Sequence, residues 1–289
     1  MIRLGVLDLC KRDGRTSAAQ AMRDTIELAA VAERLGYERY WLAEHHTPDA
    51  ACSTPETLLP LIASRTRTLR VGTGGLLLRY RSPLAVAECF HALEALFPGR
   101  IELGLCRGPG ADEATARALV DGHEAALGTE RYRRKVGELV DLLNGHERGG
   151  HPSLGPRSTP PPVWMLGSGL ESLELARAYA LPHAMAVFLG ESIERARELF
   201  AWLAESGATK GTAVALSVNC APTAELARAR ESRQVDAGLR PSNVVGDPAA
   251  CRRQIARVAD ACGTGDLLVT TWCVSASERT FMLESLAAR

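Results

Sequence analysis

The chain has 289 residues, 46% of them hydrophobic, with 34 basic and 34 acidic side chains. It is long enough to bury one large core or two modest ones, and its balanced charge provides no net field to draw in nucleic acid or an anionic membrane. No apolar run reaches the roughly 20 residues that span a bilayer; the opening MIRLGVLDLC lacks the parts of a secretory signal, and eight cysteines without a C-x-x-C pair predict reduced thiols in a cytoplasm.

Apolar, β-branched runs recur, each followed by a segment of helical period, the pattern of parallel strands joined by crossover helices. The first strand is predicted at 2–7 and its helix at 19–35, where Leu28, Val31, Ala32 and Leu35 share a face and Gly36 ends the helix. A second strand at 40–42 precedes a helix at 55–64 with Pro in its first turn. The third strand, 69–73, is followed by a helix at 83–96. The fourth, 101–105, leads through a Gly-rich loop to a long helix at about 122–143. Residues 144–162 are too rich in Gly and Pro for regular structure. Strands five, six, seven and eight follow at 163–166, about 184–188, 213–220 and 267–272, with a final helix at 277–288.

Eight such units predict a closed (β/α)8 barrel occupying residues 1–289 as one domain. The alternative is a doubly wound open sheet. Against it, no strand leads into a full G-x-G-x-x-G, since GTGGLLL carries Leu77 at the third Gly position. In a barrel, chemistry belongs at the carboxyl ends of the strands.

Four stretches lie there. WLAEHHTP places Glu44, His45 and His46 just past the second strand. In extended chain Glu44 and His46 share a side and His45 faces the other way, so the two imidazoles are poorly placed for one metal, and no further ligand pattern accompanies them. Loop capping and proton transfer near neutral pH both remain open. Gly74 and Gly75 end the third strand, either as a tight turn or as a bare wall for a planar ligand. Cys106 and Arg107 follow the fourth in LGLCRGPGAD, where the guanidinium suits a phosphate or a surface ion pair. Cys106 has no assignable base, which favours a binding role over a nucleophilic one. In LGSGLESLELA, Gly167, Ser168 and Gly169 form a flexible turn and Ser172 enters a helix whose first amides favour an anion, although a plain Ser cap fits as well.

The segments YERYWLAEHH, LRVGTGGLLLRYRSPLAVAECFHALEALFPGRIELGLCRGPGAD, PPVWMLGSGLESLELARAYALPHAMA and VVGDPAACRRQIARVADACGTGDLLVTTW resemble the bacterial luciferase-like, flavin-dependent monooxygenases. The resemblance implies a (β/α)8 barrel holding FMN, or transiently reduced FMN, at its carboxyl face. It implies a non-proline cis peptide at Gly74 and Gly75 beside the flavin ring, and Cys106 near that ring. Arg107 would be the phosphate ligand, with Gly167, Ser168, Gly169 and Ser172 as the phosphate loop and helix start. His45 would transfer a proton at the reactive edge, aided by Glu44. The implied reaction oxidises a small organic substrate with dioxygen through a flavin hydroperoxide, using reduced flavin from a separate reductase. Deazaflavin-dependent hydride transfer and a catalytically silent flavin-binding partner subunit are the alternatives. A homodimer through the early barrel helices is also implied. The chain departs from the family at Gly169 and Leu170, where relatives often carry Ser and Gly. It is also short between the seventh and eighth strands, where 221–246 holds one Arg-rich helix.

Overall fold

The computed structural model describes residues 2–145, 159–205 and 211–287. Most of the predicted loop at 144–162 therefore lies outside the described residues. Strands β1 (Arg3–Asp8), β2 (Arg39–Leu42), β3 (Arg70–Leu77), β4 (Ile101–Cys106), β5 (Val163–Gly167), β6 (His183–Ala186) and β7 (Thr212–Cys220) pair in parallel in chain order. A short strand, β8 (Val244–Gly246), adds to the end of β7, and β9 (Asp266–Thr270) pairs with both β7 and β1. The ring is closed by eight parallel strands, a TIM barrel. Its outer layer is α1 (Ala18–Arg34), α2 (Leu59–Arg65), α3 (Pro83–Leu96), α4 (Glu113–Leu119), α5 (Thr129–Leu143), α6 (Leu170–Ala178), α7 (Ile193–Glu205), α8 (Ala224–Asp236), α9 (Pro248–Cys262) and α10 (Ala276–Ala287). None of the described helices is long and apolar enough to cross a membrane.

Local chemistry sets the boundaries. Ser17 caps α1 by accepting from the Gln20 amide, and the helix buries Ala21, Leu28, Ala29 and Ala32 against the sheet. The predicted helix at 55–64 divides into a 3-10 turn at Pro55–Thr57 and α2, because Pro60 has no amide to continue a helix and fits only a first turn. The predicted helix at 122–143 begins only at Thr129, since Gly122 adopts φ +74°. Ahead of it, Asp112 caps the unpredicted α4 by accepting from the Thr115 amide at 2.7 Å. The sequence pattern also missed β8, whose three residues are too few to show a period.

Alternation sorts side chains between two cores. Along β2, Tyr40 and Leu42 join the layer between strands and helices, while Arg39, Trp41 and Ala43 face the lumen. The lower lumen is filled: Arg39 donates to both carboxylate oxygens of Asp266 at 3.0 Å, and its guanidinium lies over Trp164, 4.7 Å from the ring centroid. Glu102 accepts from Trp41 Nε1 at 2.7 Å and lies 3.3 Å from Arg39 Nε. A Cβ at Gly5 would come within 2.4 Å of Arg39 Cγ, so glycine there makes room for the guanidinium stem. Along β6 and β7, Ala184, Ala186, Ala213 and Ala215 point inward, and Ala186 reaches the cavity. Small side chains above a plugged floor leave open space at the catalytic end of a barrel.

One buried polar cluster ties the first strand to the last helix. Asp8 accepts from Thr25 at 2.9 Å, the Cys10 amide at 2.8 Å, Tyr40 and Arg279. Burial alone would raise the Asp8 carboxyl, but the Arg279 guanidinium and these hydrogen bonds hold it below its ordinary value.

Candidate active site

A cavity of about 340 Å³ opens at the carboxyl ends of the strands, within the size range of small-molecule sites. All ten residues singled out from the sequence line it: Glu44, His45, Gly74, Gly75, Cys106, Arg107, Gly167, Ser168, Gly169 and Ser172. They arrive from the ends of β2, β3, β4 and β5, which are neighbours in the barrel, so segments far apart in the chain meet on one quadrant.

The stretch after β2 divides by side. Glu44 is buried, and its Oε1 lies 2.9 Å from His46 Nε2 and 2.9 Å from Arg81 Nη2. Its Oε2 accepts from the Leu77 amide at 2.9 Å. Arg81 in turn holds Glu56 at 2.7 Å, and Lys135 donates to the Arg79 and Arg81 carbonyls at 2.7 and 2.8 Å. Glu44 thus binds the β3–α3 connection together and hydrogen-bonds His46, the imidazole on its own side. His45 faces the pocket instead, and its Nδ1 is buried without a hydrogen-bond partner. Burial and the nearby Lys11 cation lower its pKa, while Asp49 and Glu44 pull it back upward. The neutral imidazole is favoured, and Glu44 reaches it only through its field.

The Gly74–Gly75 peptide is cis, and the pairing of β3 with β4 slips between Thr73 and Leu76 at that point. A Cβ on Gly74 would lie 2.6 Å from Leu7 Cδ1, and one on Gly75 would lie 2.8 Å from the Cys106 nitrogen. The two glycines therefore form a bare backbone wall that no larger residue fits. Cys106 donates to the Gly75 carbonyl at 3.5 Å. Burial, with the Glu44 charge, pushes its thiol up to about 12, so it stays protonated and serves as an apolar wall.

At the other end, Arg107 lies beside the start of α6. Gly169 occupies the cap position without a side-chain cap, which leaves the first amides of that helix available to an anion. Ser172 Oγ donates to the Gly169 carbonyl at 2.8 Å and lies 3.0 Å from His183 Nε2. Two polar lining residues, Tyr132 and Glu171, carry no signal in the sequence pattern, and neither do the apolar ones Leu9, Ala43, Ala186 and Phe188. Tyr132 on α5 is buried, and its hydroxyl has no partner; burial pushes its phenol up, so it remains a donor. Glu171 makes an ion pair with Arg107. Nothing in a helical pattern could reveal the first, and an acidic residue in a first turn ordinarily reads as a complement to the helix dipole.

The donor set fits a flavin mononucleotide. Arg107, the Tyr132 hydroxyl and free helix amides suit a phosphate or ribityl tail. The Gly74–Gly75 wall with Leu9, Ala43, Ala186 and Phe188 suits a flat apolar ring, and the unpartnered His45 suits its polar edge. Barrel and site together define a TIM barrel whose carboxyl face carries one cavity with an anion-binding end and a flat apolar wall.

The luciferase-like monooxygenase family model matches residues 2–235, and the chain belongs to that family. It is 40% identical over 190 residues to the luciferase-like monooxygenase of Escherichia coli K12, covering 64% of this chain and 55% of that protein. It is 34% identical over 209 residues to the N-acetyl-S-alkylcysteine monooxygenase of Bacillus subtilis, covering 69% and 62%. The aligned part thus spans little more than half of these relatives' length. Among solved structures, apo-MsnO8 superposes with a TM-score of 0.87 at 29% identity, covering 99% of this chain and 98% of that one. The oxygenating constituent of 3,6-diketocamphane monooxygenase from Pseudomonas putida, in complex with FMN, gives 0.79 at 16% identity, covering 99% and 97%. An F420-dependent secondary alcohol dehydrogenase gives 0.69 at 15%, also covering 99% and 97%. These last two share the fold alone.

Proposed function

We propose that this protein is an FMN-dependent monooxygenase of small organic substrates, working as a single barrel domain in the cytoplasm with reduced FMN supplied by a separate reductase, and as a homodimer. The observation that supports it most strongly is the meeting of Arg107, the 167–169 turn, the Gly74–Gly75 wall and His45 on one cavity. The relatives at 34 and 40% identity are named monooxygenases, which supports oxygen chemistry over the hydride transfer of the F420-dependent dehydrogenase, a protein that shares only the fold.

When bound, reduced FMN supplies the electrons that let dioxygen deliver one oxygen atom to a substrate. Arg107 and the α6 amides would hold the phosphate, with Ser168 and Ser172 beside them. Gly74 and Gly75 would offer the ring a bare backbone wall. Leu9, Ala186 and Phe188 keep water from its face. His45, held neutral by burial, accepts or returns a proton through its ring nitrogen at the polar edge. Glu44 keeps the wall of the site in place.

The test is an anaerobic titration with oxidised and reduced FMN, followed by admission of air with a panel of small thioethers and ketones. Saturable binding of reduced FMN, with oxygen uptake matched by oxygenated product, is expected. A protein that binds deazaflavin but not FMN, or one that takes up no oxygen with any substrate, would overturn the proposal.

A further inference from the structure

Glu171 is the charged group of the anion subsite that the proposed reaction leaves unused. Its Oε2 accepts from Arg107 Nη1 at 2.5 Å, and its Oε1 lies 3.8 Å from Arg133 Nε. Arg133 is itself held by Glu174 at 2.6 Å. Two guanidinium groups and two carboxylates therefore neutralise one another before any ligand arrives. The guanidinium best placed for a phosphate already carries an anion.

That occupancy is loosely built. Arg107 and Glu171 retain 46 and 25% of their side-chain exposure, and an ion pair so open to water is weak. Glu171 Oε1 makes no hydrogen bond, and neither does the buried Tyr132 hydroxyl on the same wall. A carboxylate whose second oxygen has only a long ion pair and no hydrogen bond, on the same lining as a hydroxyl without a partner, fills the subsite without satisfying it. A phosphate has more acceptor oxygens and more charge than a carboxylate, so it can take Arg107 and Tyr132 together. It cannot share the place with Glu171, because adjacent like charges repel.

We infer that Glu171 is an intramolecular anion that occupies the phosphate subsite of the free protein and must swing off Arg107 for a mononucleotide to bind. This deepens, and rests on, the FMN proposal. Glu171 lies in the first turn of α6 and is partly solvent-exposed, so its side chain can turn outward without unfolding the helix. Removing its charge strengthens phosphate binding and leaves a ligand without phosphate unaffected.

The experiment is an equilibrium titration of FMN and of riboflavin, followed by flavin fluorescence, on the wild type, E171Q, E171A, R107A and E171Q/R107A. E171Q is expected to bind FMN roughly tenfold more tightly, about 1.4 kcal/mol, with riboflavin unchanged and no gain in the R107A background. E171A, which removes the carboxylate altogether, should reproduce the direction. FMN affinity that is unchanged or weaker in both Glu171 variants overturns the inference alone, as does an equal gain for riboflavin. Failure of FMN to saturate the wild type and E171Q overturns the inference and the FMN proposal together.

Discussion

Glu44 Oε2 accepts the backbone amide of Leu77 at 2.9 Å, so a carboxylate from the end of β2 secures the end of β3. Its other oxygen is shared by His46 and Arg81. Removing one partner of a buried ion pair leaves charge and donors unsatisfied. Glu44→Ala is expected to cost about 3 kcal/mol of stability by denaturant unfolding. Glu44→Gln, which keeps an acceptor, should cost less.

His45 belongs to the pocket, not to that scaffold. His45→Ala should leave stability and FMN affinity near wild type while turnover falls roughly 10²- to 10⁴-fold, the range for loss of a general acid or base. Since burial lowers its pKa, the neutral form persists below pH 6.5. The acid limb of the rate profile should therefore lie on the acid side of that value. A limb that is unmoved in the variant would assign it to another group.

Glycines 75 and 169 should respond to different degrees. A Cβ at Gly75 would lie 2.8 Å from the Cys106 nitrogen and 2.9 Å from the Leu105 carbonyl carbon, atoms that cannot rotate away. Gly75→Ala is expected to cost about 2 kcal/mol through overpacking and to lower FMN affinity. A Cβ at Gly169 meets nothing within 4 Å, so Gly169→Ala should lose only what a weaker helix cap costs. Unfolding curves for the pair decide it.

His183 gives the fold an acid limit. Burial lowers its pKa to about 3, whereas the unfolded chain protonates near 6.5. Between those values the unfolded state holds the extra proton, so this group contributes nothing above pH 6.5 and destabilises the fold progressively as pH falls towards 3. The slope is about 1.4 kcal/mol per pH unit. His183→Gln, able to keep the Ser172 contact, should flatten the stability curve over that window relative to wild type.

Much of the architecture was legible because period and punctuation are local. The helix at 83–96 matched to the residue, with Ser82 as its cap and Pro83 as its first residue. The strands matched to within a residue or two, except that β3 runs on through Gly74 and Gly75 to Leu77. The misses have local causes too: a glycine with positive φ at 122, a proline at 60, and a strand of three residues at 244–246. The ten candidate site residues were legible for a related reason. They stand at strand ends, and the barrel brings strand ends together.

What the sequence by itself determined was the order of strands and helices and which residues stand at the carboxyl face, since both follow from spacing along the chain. It also implied that Glu44 and His46 share a side, because strand alternation requires it. Only the tertiary structure decided their partners: Arg81 on Glu44, Glu171 on Arg107, and the idle hydroxyl of Tyr132 beside them. Those pairings join residues 37 and 64 positions apart, and charges so distant in the chain meet only once the packed barrel has brought their strand ends and helices together.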